Sequence, residues 1–275
     1  MSYSDEVTLP QRDACSRLLT GLPGGTRQIR YTNMKDLRAA VEECYEDDTQ
    51  DPFLVVVDVP PTILEDFDSE YLDKGPRITA NLPERLLILK TLSNPGHESV
   101  ASDLIFYIRV GILEMGLPDR LADTRSSRVT SKNGRFVKEP DGSLRQLHQE
   151  WPSVVVETGP SEAGEKLSMD ARGWLETDGS ETRVIVTARI DQKARCIVFR
   201  KWTREADGRI APIVVEEEVM ATRKEDTTEV TGDMTFTFEE VVGRQRNEVN
   251  EGDIVITRAD FREICQNAWA AQGFG

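Results

Sequence analysis

The stretch "WPSVVVETGPSEAGEKLSMDARGWL", residues 151–175, decides the fold together with the "TRVIVTARI" that follows it. Its run of valines predicts a buried strand over 152–158. Ser161 is a typical N-cap for a helix over 161–176, and "TRVIVTARI" predicts another strand over 183–190. Two strands joined by a single helix are typical of parallel neighbours in one sheet. The stretch therefore predicts an α/β domain built around this strand–helix–strand unit.

Glu157 ends the valine strand, and the alternation of side chains predicts the direction in which it points. Val154 and Val156 should face one side of the sheet, whereas Val155 and Glu157 face the other. A carboxylate at the end of a buried strand is costly unless it is paired, hydrogen-bonded or bound to a cation. Asp141 lies earlier, in a turn-forming stretch that could bring it alongside. We therefore expect the two carboxylates to converge at one end of the sheet.

The rest of the chain supports a mixed α/β organisation. The longest helix signal runs over 98–116, where Leu104, Ile108 and Ile112 repeat at helical spacing. A turn signal at Asn133-Gly134 predicts a hairpin, and the C-terminal part predicts β-hairpins followed by a final helix. We expect residues 76–275 to form the main domain and residues 1–75 to pack on it as an N-terminal elaboration, because that segment is too small to enclose a core alone.

Composition limits the partners of the chain. It has 275 residues, of which 38% are hydrophobic and 30% charged, and its net charge is −15, from 49 acidic and 34 basic residues. Because affinity for a polyanion depends on Lys and Arg, this balance opposes non-specific binding to nucleic acid. A nucleic-acid substrate would need a local basic surface. The stretches dense enough to supply one are Lys132, Arg135, Lys138, Arg183, Arg189 and the cluster at 193–204.

Location and oxidation state follow from two further patterns. No apolar run approaches the roughly 20 residues of a membrane helix, and no secretory signal is evident at the N-terminus, so an intracellular protein is expected. The four cysteines lie far apart with no paired spacing, which argues against a zinc knuckle or a disulfide framework; they are Cys15, Cys44, Cys196 and Cys265. A homo-oligomer or a protein partner remains open at this level.

Four segments carry a resemblance to a known superfamily: "NPGHES" (94–99), "KEPDGS" (138–143), the opening stretch and "TRVIVTARI". In this order the chain resembles the PD-(D/E)XK superfamily, which has the restriction-endonuclease-like fold. Within it, the chain is similar to uncharacterised fungal proteins related to the Uma2-type proposed endonucleases. The resemblance is strongest over 78–202. It implies a mixed central sheet flanked by helices.

The resemblance also implies a metal centre holding Mg²⁺ or Mn²⁺. Asp141 falls on the family's first acidic position, Glu157 on its second, and Glu98 near a third carboxylate that some members use. Two carboxylates on adjacent strands can hold a hard cation and leave water ligands on it as nucleophiles. The family has a lysine two residues after the glutamate, where this chain has Gly159.

Two other residues could supply the missing positive charge. Lys166 lies on the following helix, and Arg189 lies on the next strand. We expect one of them near the carboxylates if the site is free of metal, and Glu98 nearby if the site binds metal. The catalytic set predicted from the sequence is Asp141, Glu157, Lys166 and Arg189, and the metal-binding set is Glu98, Asp141 and Glu157.

Structural roles explain each of these residues as well. Asp141 could be only a turn residue, and Glu157 could only accept hydrogen bonds from the helix that begins at Ser161. Lys166 could pair with Glu162 or Asp170 on a solvated helix face. His97 could be a surface or capping residue, and the basic cluster could be a solvated strand face.

Three function classes therefore follow from the sequence. The first is a divalent-metal-dependent nuclease or phosphodiesterase. The second is a catalytically inactive relative that serves as a scaffold or binding module, which the net charge and Gly159 favour. The third is the same fold used for small-molecule chemistry, with an acid–base pair in place of a metal.

Overall fold

The computed structural model describes residues 17–46, 51–72, 75–91, 95–204, 213–225 and 227–274. The helices are α1 (Met34–Glu46), α2 (Ile63–Glu70), α3 (Pro95–Glu114), α4 (Gly164–Glu176), α5 (Phe238–Val242) and α6 (Arg258–Ala271). The first strands are β1 (Arg27–Arg30), β2 (Phe53–Val57), β3 (Arg77–Asn81), β4 (Leu86–Lys90), β5 (Leu121–Asp123), β6 (Val129–Thr130), β7 (Val137–Lys138) and β8 (Gly142–Gln146). The remaining strands are β9 (Val154–Pro160), β10 (Val184–Asp191), β11 (Cys196–Arg204), β12 (Ile213–Lys224), β13 (Thr227–Val230), β14 (Met234–Phe236) and β15 (Ile254–Ile256).

The strands form two large mixed sheets and one small one. The six-stranded sheet has the order β1-β2-β4-β3-β7-β6, and the seven-stranded sheet has the order β13-β12-β11-β10-β9-β8-β5. Each contains one parallel pair, β1 with β2 and β9 with β10, while its other pairs are antiparallel. Strands β14 and β15 form a separate antiparallel pair. The α/β class with mixed sheets flanked by helices is confirmed, although the strands are divided between sheets rather than gathered in one central sheet.

The strand–helix–strand unit predicted from the sequence is confirmed. Strands β9 and β10 pair in parallel, with Glu157 opposite Thr187, and α4 connects them. The predicted alternation of β9 also holds. Val154 and Val156 pack with α3 and α6, whereas Val155 packs with Ala171 and other residues of α4. Glu157 therefore points to the face that α4 covers.

Helix α4 lies between the two large sheets. Its residues Ala171 and Trp174 pack on the seven-stranded sheet, while Ala163, just before α4, packs on the six-stranded sheet with Phe53 and Ile88. Helices α1 and α2 cover the opposite face of the six-stranded sheet. The molecule is thus layered as helices, sheet, α4, sheet and helices, and the side chains that face α4 from both sheets are brought together.

The six-stranded sheet joins the N-terminal segment to the rest of the chain. Strand β2 pairs with β4 from Phe53 opposite Lys90 to Val57 opposite Leu86. Strands from both sides of residue 75 thus share one sheet, and the division of the chain at that residue stays a prediction. Among the described residues, Cys44, Cys196 and Cys265 form no disulfide, and Cys15 lies outside these residues. No helix in the described part is both long and apolar enough to cross a lipid bilayer.

Candidate functional site

Asp141 lies immediately before β8 and is bound by donors on all sides. The pairing of β8 with β9 sets Gly142 opposite Val156, so the next pair along the two strands is Asp141 and Glu157. Asp141 Oδ1 lies 3.0 Å from Arg77 Nε, and Oδ2 lies 2.7 Å from Lys90 Nζ. Oδ2 also accepts hydrogen bonds from the Thr158 backbone N–H at 2.7 Å and from its hydroxyl at 2.8 Å. The predicted turn residue is therefore the centre of a buried ion-pair cluster.

The charges around Asp141 keep it ionised. Burial alone would raise its pKa, but attraction to Lys90 and Arg77 and the hydrogen bonds from Lys90 and Thr158 hold the pKa well below its ordinary range. The side chain is only 5% exposed. Asp141 is consequently a fixed negative charge at neutral pH.

Glu157 lies beside Asp141, but its pKa is shifted in the opposite direction. Its Oε1 accepts a hydrogen bond of 2.7 Å from Trp174 Nε1 and lies 3.5 Å from Lys138 Nζ. The pKa of Glu157 is raised to about 7, mainly by burial. Attraction to Lys138 opposes this rise, whereas repulsion from Asp141 and Asp170 adds to it. Glu157 can therefore hold or release a proton near neutral pH.

Two lysines and Asp170 complete the buried network. Lys138 Nζ lies 3.2 Å from Asp170 Oδ2 and donates to Thr79 Oγ1 at 3.3 Å, while Lys166 pairs with Asp170 Oδ1. Burial would lower the pKa of Lys138, but Asp170 and Glu157 hold it above its ordinary value. Burial lowers the pKa of Lys166, although Asp170 opposes this change. Four cations, counting Arg77 and Lys90, thus face three carboxylates.

These side chains line a small cavity that adjoins a large cleft. The cavity has a volume of about 20 Å³ and is lined by residues that include Asp141, Glu157, Lys138, Lys166 and Asp170. About one water molecule fits in such a space. The cleft has a volume of about 1030 Å³, and it shares Arg77, Lys90, Glu139, Asp141 and Thr158 with the cavity. Asp141 and Lys90 therefore lie where a ligand in the cleft could reach the buried network.

The structure brings together most, but not all, of the residues predicted from the sequence. Asp141, Glu157 and Lys166 line the same cavity. Glu98 lies on the cleft side, and its carboxylate is 3.9 Å from Arg77 Nη2. Arg189 does not line the cavity; its side chain lies against Gly164 and faces a separate small space with Arg200. Its predicted place in the catalytic set stays a prediction.

Three structural interpretations from the sequence need correction. Lys166 is 1% exposed, so its pair with Asp170 is buried rather than on a solvated helix face. His97 is 7% exposed and lines the cleft rather than the surface. Lys201, in the predicted basic cluster, is buried among Glu216, Glu217 and Glu240.

The predicted basic path is therefore interrupted. Lys138 is buried in the site network, and Lys201 is surrounded by glutamates. Arg200 pairs with Glu218 across β11 and β12. The described residues of this path supply isolated and paired charges, so the local basic surface that a polyanion would need is not continuous there.

The carboxylates do not fit a divalent cation in this arrangement. Both oxygens of Asp141 face Arg77, Lys90 or Thr158, and Glu157 Oε1 faces Trp174 and Lys138. Within the described residues, no group of three or more His, Cys, Asp or Glu side chains could hold a metal ion. Mg²⁺ needs several well-placed oxygen ligands, and it would have to displace a lysine or an arginine to obtain them. The Mg²⁺ or Mn²⁺ site stays a prediction.

Comparisons with known proteins add one similarity. No family model matches the chain, and no curated protein matches it. Among solved structures, the chain is similar to a proposed nuclease belonging to DUF820 from Anabaena variabilis, at 15% sequence identity. The match covers 56% of this chain and 84% of that one, with a TM-score of 0.35. The function is therefore inferred from the residues of the site.

The raised pKa of Glu157 predicts a pH-dependent stability. Its ordinary value is 4.5 and its value in the folded protein is about 7. Between pH 4.5 and about pH 7, Glu157 has lost its proton in the unfolded chain but still holds it in the folded protein. Raising the pH across this window therefore favours unfolding. Relative to Glu157→Gln, which stays neutral, wild type should lose on the order of 3 kcal/mol of stability across this window. Urea unfolding of both proteins from pH 4.5 to pH 8 measures the difference.

This comparison also removes the contribution of His97. Burial lowers the pKa of His97 to about 4, so its contribution to stability rises with pH over part of the same range. That contribution is common to both proteins and cancels in the difference. A difference that stays constant from pH 4.5 to pH 7 would show that Glu157 does not titrate near neutral pH.

Proposed function

We propose that the chain is a hydrolase of the nuclease type that acts on a phosphoester, with Asp141 and Glu157 as an unequal pair of carboxylates. One observation supports this above all. The two carboxylates are neighbours, yet the pKa of Asp141 is lowered while that of Glu157 is raised to about 7. Neighbouring acids whose environments separate their pKa values are typical of acid–base catalysis.

Lys90 and Arg77 are suited to bind the phosphoryl group. Both line the cavity and the cleft, and their side chains are 16% and 21% exposed. Lys90 Nζ has three N–H donors, of which two are used by Asp141 Oδ2 and by the Thr158 carbonyl at 2.8 Å. The third is available to a ligand oxygen.

Glu157 is the better candidate for the base. A group accepts a proton most effectively when its pKa lies near the working pH, which fits Glu157 and not the fully ionised Asp141. In the proposed reaction a water oxygen forms a bond to phosphorus while the P–O bond to the leaving group breaks. Glu157 takes the proton of the attacking water, directly or through a water in the cavity. Lys138, 3.5 Å away, stabilises the ionised carboxylate before the transfer.

Lys138 would then take the role of the lysine that the motif lacks at position 159. It comes from β7, three residues before Asp141, and reaches Glu157 from the six-stranded sheet. In this proposal the positive charge at the reacting centre comes from lysine and arginine side chains. This is how the site could process a phosphoester although its carboxylates do not fit a metal.

The divalent-metal-dependent nuclease is the second candidate. It is favoured by the convergence of Asp141 and Glu157 on one cavity at the ends of neighbouring strands. Mg²⁺ or Mn²⁺ would have to compete with Lys90 and Arg77 for Asp141. Calorimetric titration of Mn²⁺ into wild type and Glu157→Ala tests this candidate, because only wild type should bind the ion at millimolar concentration.

Hydrolysis of bis(4-nitrophenyl) phosphate tests the proposed function. Wild type should release nitrophenol in the presence of EDTA, and Glu157→Gln should lower the rate about 100-fold, because a general base typically contributes that much. Glu229→Gln is the matched control, since Glu229 is 63% exposed and pairs with Lys224 on the surface.

The outcomes separate the candidates. Hydrolysis in EDTA that depends on Glu157 supports the proposal. Hydrolysis that requires Mn²⁺ supports the metal-dependent nuclease instead. No hydrolysis under either condition would contradict both and leave the inactive scaffold, which the net charge of −15 favours.

A further inference from the structure

The cleft beside Asp141 has the size and shape of a small-molecule site. Its volume of about 1030 Å³ lies at the upper end of the range for ligand pockets, roughly 300–1,000 Å³. One face of α3 lines it through Ala101, Ile105 and Phe106, and Phe67 and Tyr71 line it from the end of α2. The cleft therefore offers far more space than the cavity at its base.

Two buried polar atoms in the lining have no partner among the described residues. They are His97 Nε2 and the hydroxyl oxygen of Tyr71. A buried polar group without a hydrogen bond costs roughly 1–3 kcal/mol, and such groups are uncommon in native proteins. His97 is 7% exposed. Both atoms are enclosed by the protein, so a ligand in the cleft would reach them once the imidazole and phenol rings turn toward it.

Exposed rings also line the cleft. Phe106 is 58% exposed and Tyr45 is 49% exposed. Large apolar side chains exposed at the edge of a concave site suggest contact with a ligand. The flat ring of any nucleobase can stack on such an aromatic side chain, because every base has a π-face.

The charges of the cleft select against a polyanion. Its five basic side chains are Arg77, Lys90, Arg109, Arg125 and Arg128, and its five acidic ones are Asp68, Glu98, Asp123, Glu139 and Asp141. Arg128 pairs with Asp68 and Glu139, and Arg109 lies 3.5 Å from Asp123. Since the two signs balance, the cleft has no excess charge to hold a chain of phosphates. A ligand with a single phosphate is compatible with it.

We propose that the cleft binds one nucleoside monophosphate, with its phosphate at Arg77 and Lys90, its base against Phe106, and its polar edges at His97 and Tyr71. The position of the phosphate rests on the proposed function, whereas the base site rests on the cleft alone. His97 suits this role because a neutral imidazole both donates and accepts one hydrogen bond.

Calorimetric titration with AMP tests the inference directly. Wild type should bind AMP saturably, and adenosine or inorganic phosphate alone should bind at least about tenfold more weakly, since each lacks half of the contacts. Phe106→Ala should weaken AMP binding about tenfold, as expected for the loss of one stacking contact. Leu113→Ala is the matched control, because Leu113 is 51% exposed on the same helix and does not line the cleft.

His97→Leu gives an independent readout and should also weaken AMP binding about tenfold. Its thermal unfolding is measured alongside because His97 is buried, while Phe106→Ala changes only an exposed ring. Unchanged AMP affinity in Phe106→Ala, or no saturable binding by wild type, would overturn the inference. A single-stranded or duplex oligonucleotide that binds more tightly than AMP would overturn it as well.

Failure of this inference differs from failure of the proposed function. Hydrolysis of bis(4-nitrophenyl) phosphate without AMP binding would contradict the nucleotide site and support the hydrolase. Binding of AMP without hydrolysis would support the nucleotide site and contradict the hydrolase.

Discussion

Lys138→Met is expected to lower the free energy of unfolding by about 3 kcal/mol, because it removes the buried cation that Glu157 and Asp170 share and leaves Asp170 with Lys166 alone. Methionine keeps the length and apolar stem of the side chain, so the packing changes little. Removing one partner of a buried ion pair costs far more than the pair itself contributes, since the remaining charge stays out of water. For a chain of this size the melting temperature should fall by roughly 10 °C. Urea and thermal unfolding at pH 7 measure both quantities.

Lys224→Met is the matched control for this change. Lys224 and its partner Glu229 are more than 60% exposed, at 65% and 63%. Exposed pairs contribute about 0–1 kcal/mol, so this variant should unfold almost as wild type does. The double variant Lys138→Met, Glu157→Gln should recover part of the loss, because it also removes the carboxyl group that loses its close cation. Equal stabilities of Lys138→Met and Lys224→Met would show that the network around Lys138 is open to water.

Gly21→Ala is expected to destabilise the protein by about 3 kcal/mol, from backbone strain and overpacking together. Gly21 has a φ of +80°, which only glycine adopts readily. A Cβ at this position would lie 2.4 Å from the backbone nitrogen of Lys166 and 2.5 Å from the carbonyl carbon of Glu165. Helix backbone cannot yield as a side chain can, so the segment would have to move away from α4. Denaturant unfolding measures the change.

Gly25→Ala separates the two causes. Gly25 also has a positive φ, +95°, but a Cβ there would have nothing within 4 Å. This variant should therefore show only the strain, about 1–2 kcal/mol. If Gly21→Ala proved no more destabilising than Gly25→Ala, the close approach of Gly21 to the first turn of α4 would be contradicted.

The central part of the fold could be predicted because its signals are local. The valine run of β9, the apolar stripe of α4 and the apolar run of β10 lie close together in the sequence. The predicted cap was wrong, because Ser161 lies in a short 3₁₀ helix and α4 begins at Gly164 without a side-chain cap. A helix between two buried strands then leaves parallel pairing as the favoured arrangement. The face of Glu157 followed from the alternation along a single strand. None of these steps needed knowledge of distant segments.

The partners of the carboxylates could not be predicted in the same way. Lys90 and Lys138 reach Asp141 and Glu157 only because two separate sheets enclose α4. Neither sequence spacing nor composition specifies that contact. The helical spacing predicted Asp170 as a partner for Lys166 on a solvated face, and it gave no indication of the contact with Lys138.

One missed signal was present in α4. Lys166 and Asp170 alternate with Leu167, Ala171 and Trp174 at positions that share one helix face. Charged residues at core positions of an amphipathic helix indicate buried ion pairs when several occur together. The periodicity that predicted the apolar stripe could therefore have placed both residues in the interior.

The division of the site between two sheets has a consequence for how the chain folds. The chain crosses between the two large sheets more than once, and its last crossing lies between β7 and β8, in the few residues from Lys138 to Gly142. Before the sheets close on α4, each can keep its charges hydrated, and closing removes water from the whole cluster in one event. Contacts between segments that are distant in the sequence form late, because the chain loses conformational entropy before these contacts can stabilise it. We expect this closure to limit the folding rate, so that a partly synthesised chain cannot bind a ligand before both sheets are complete.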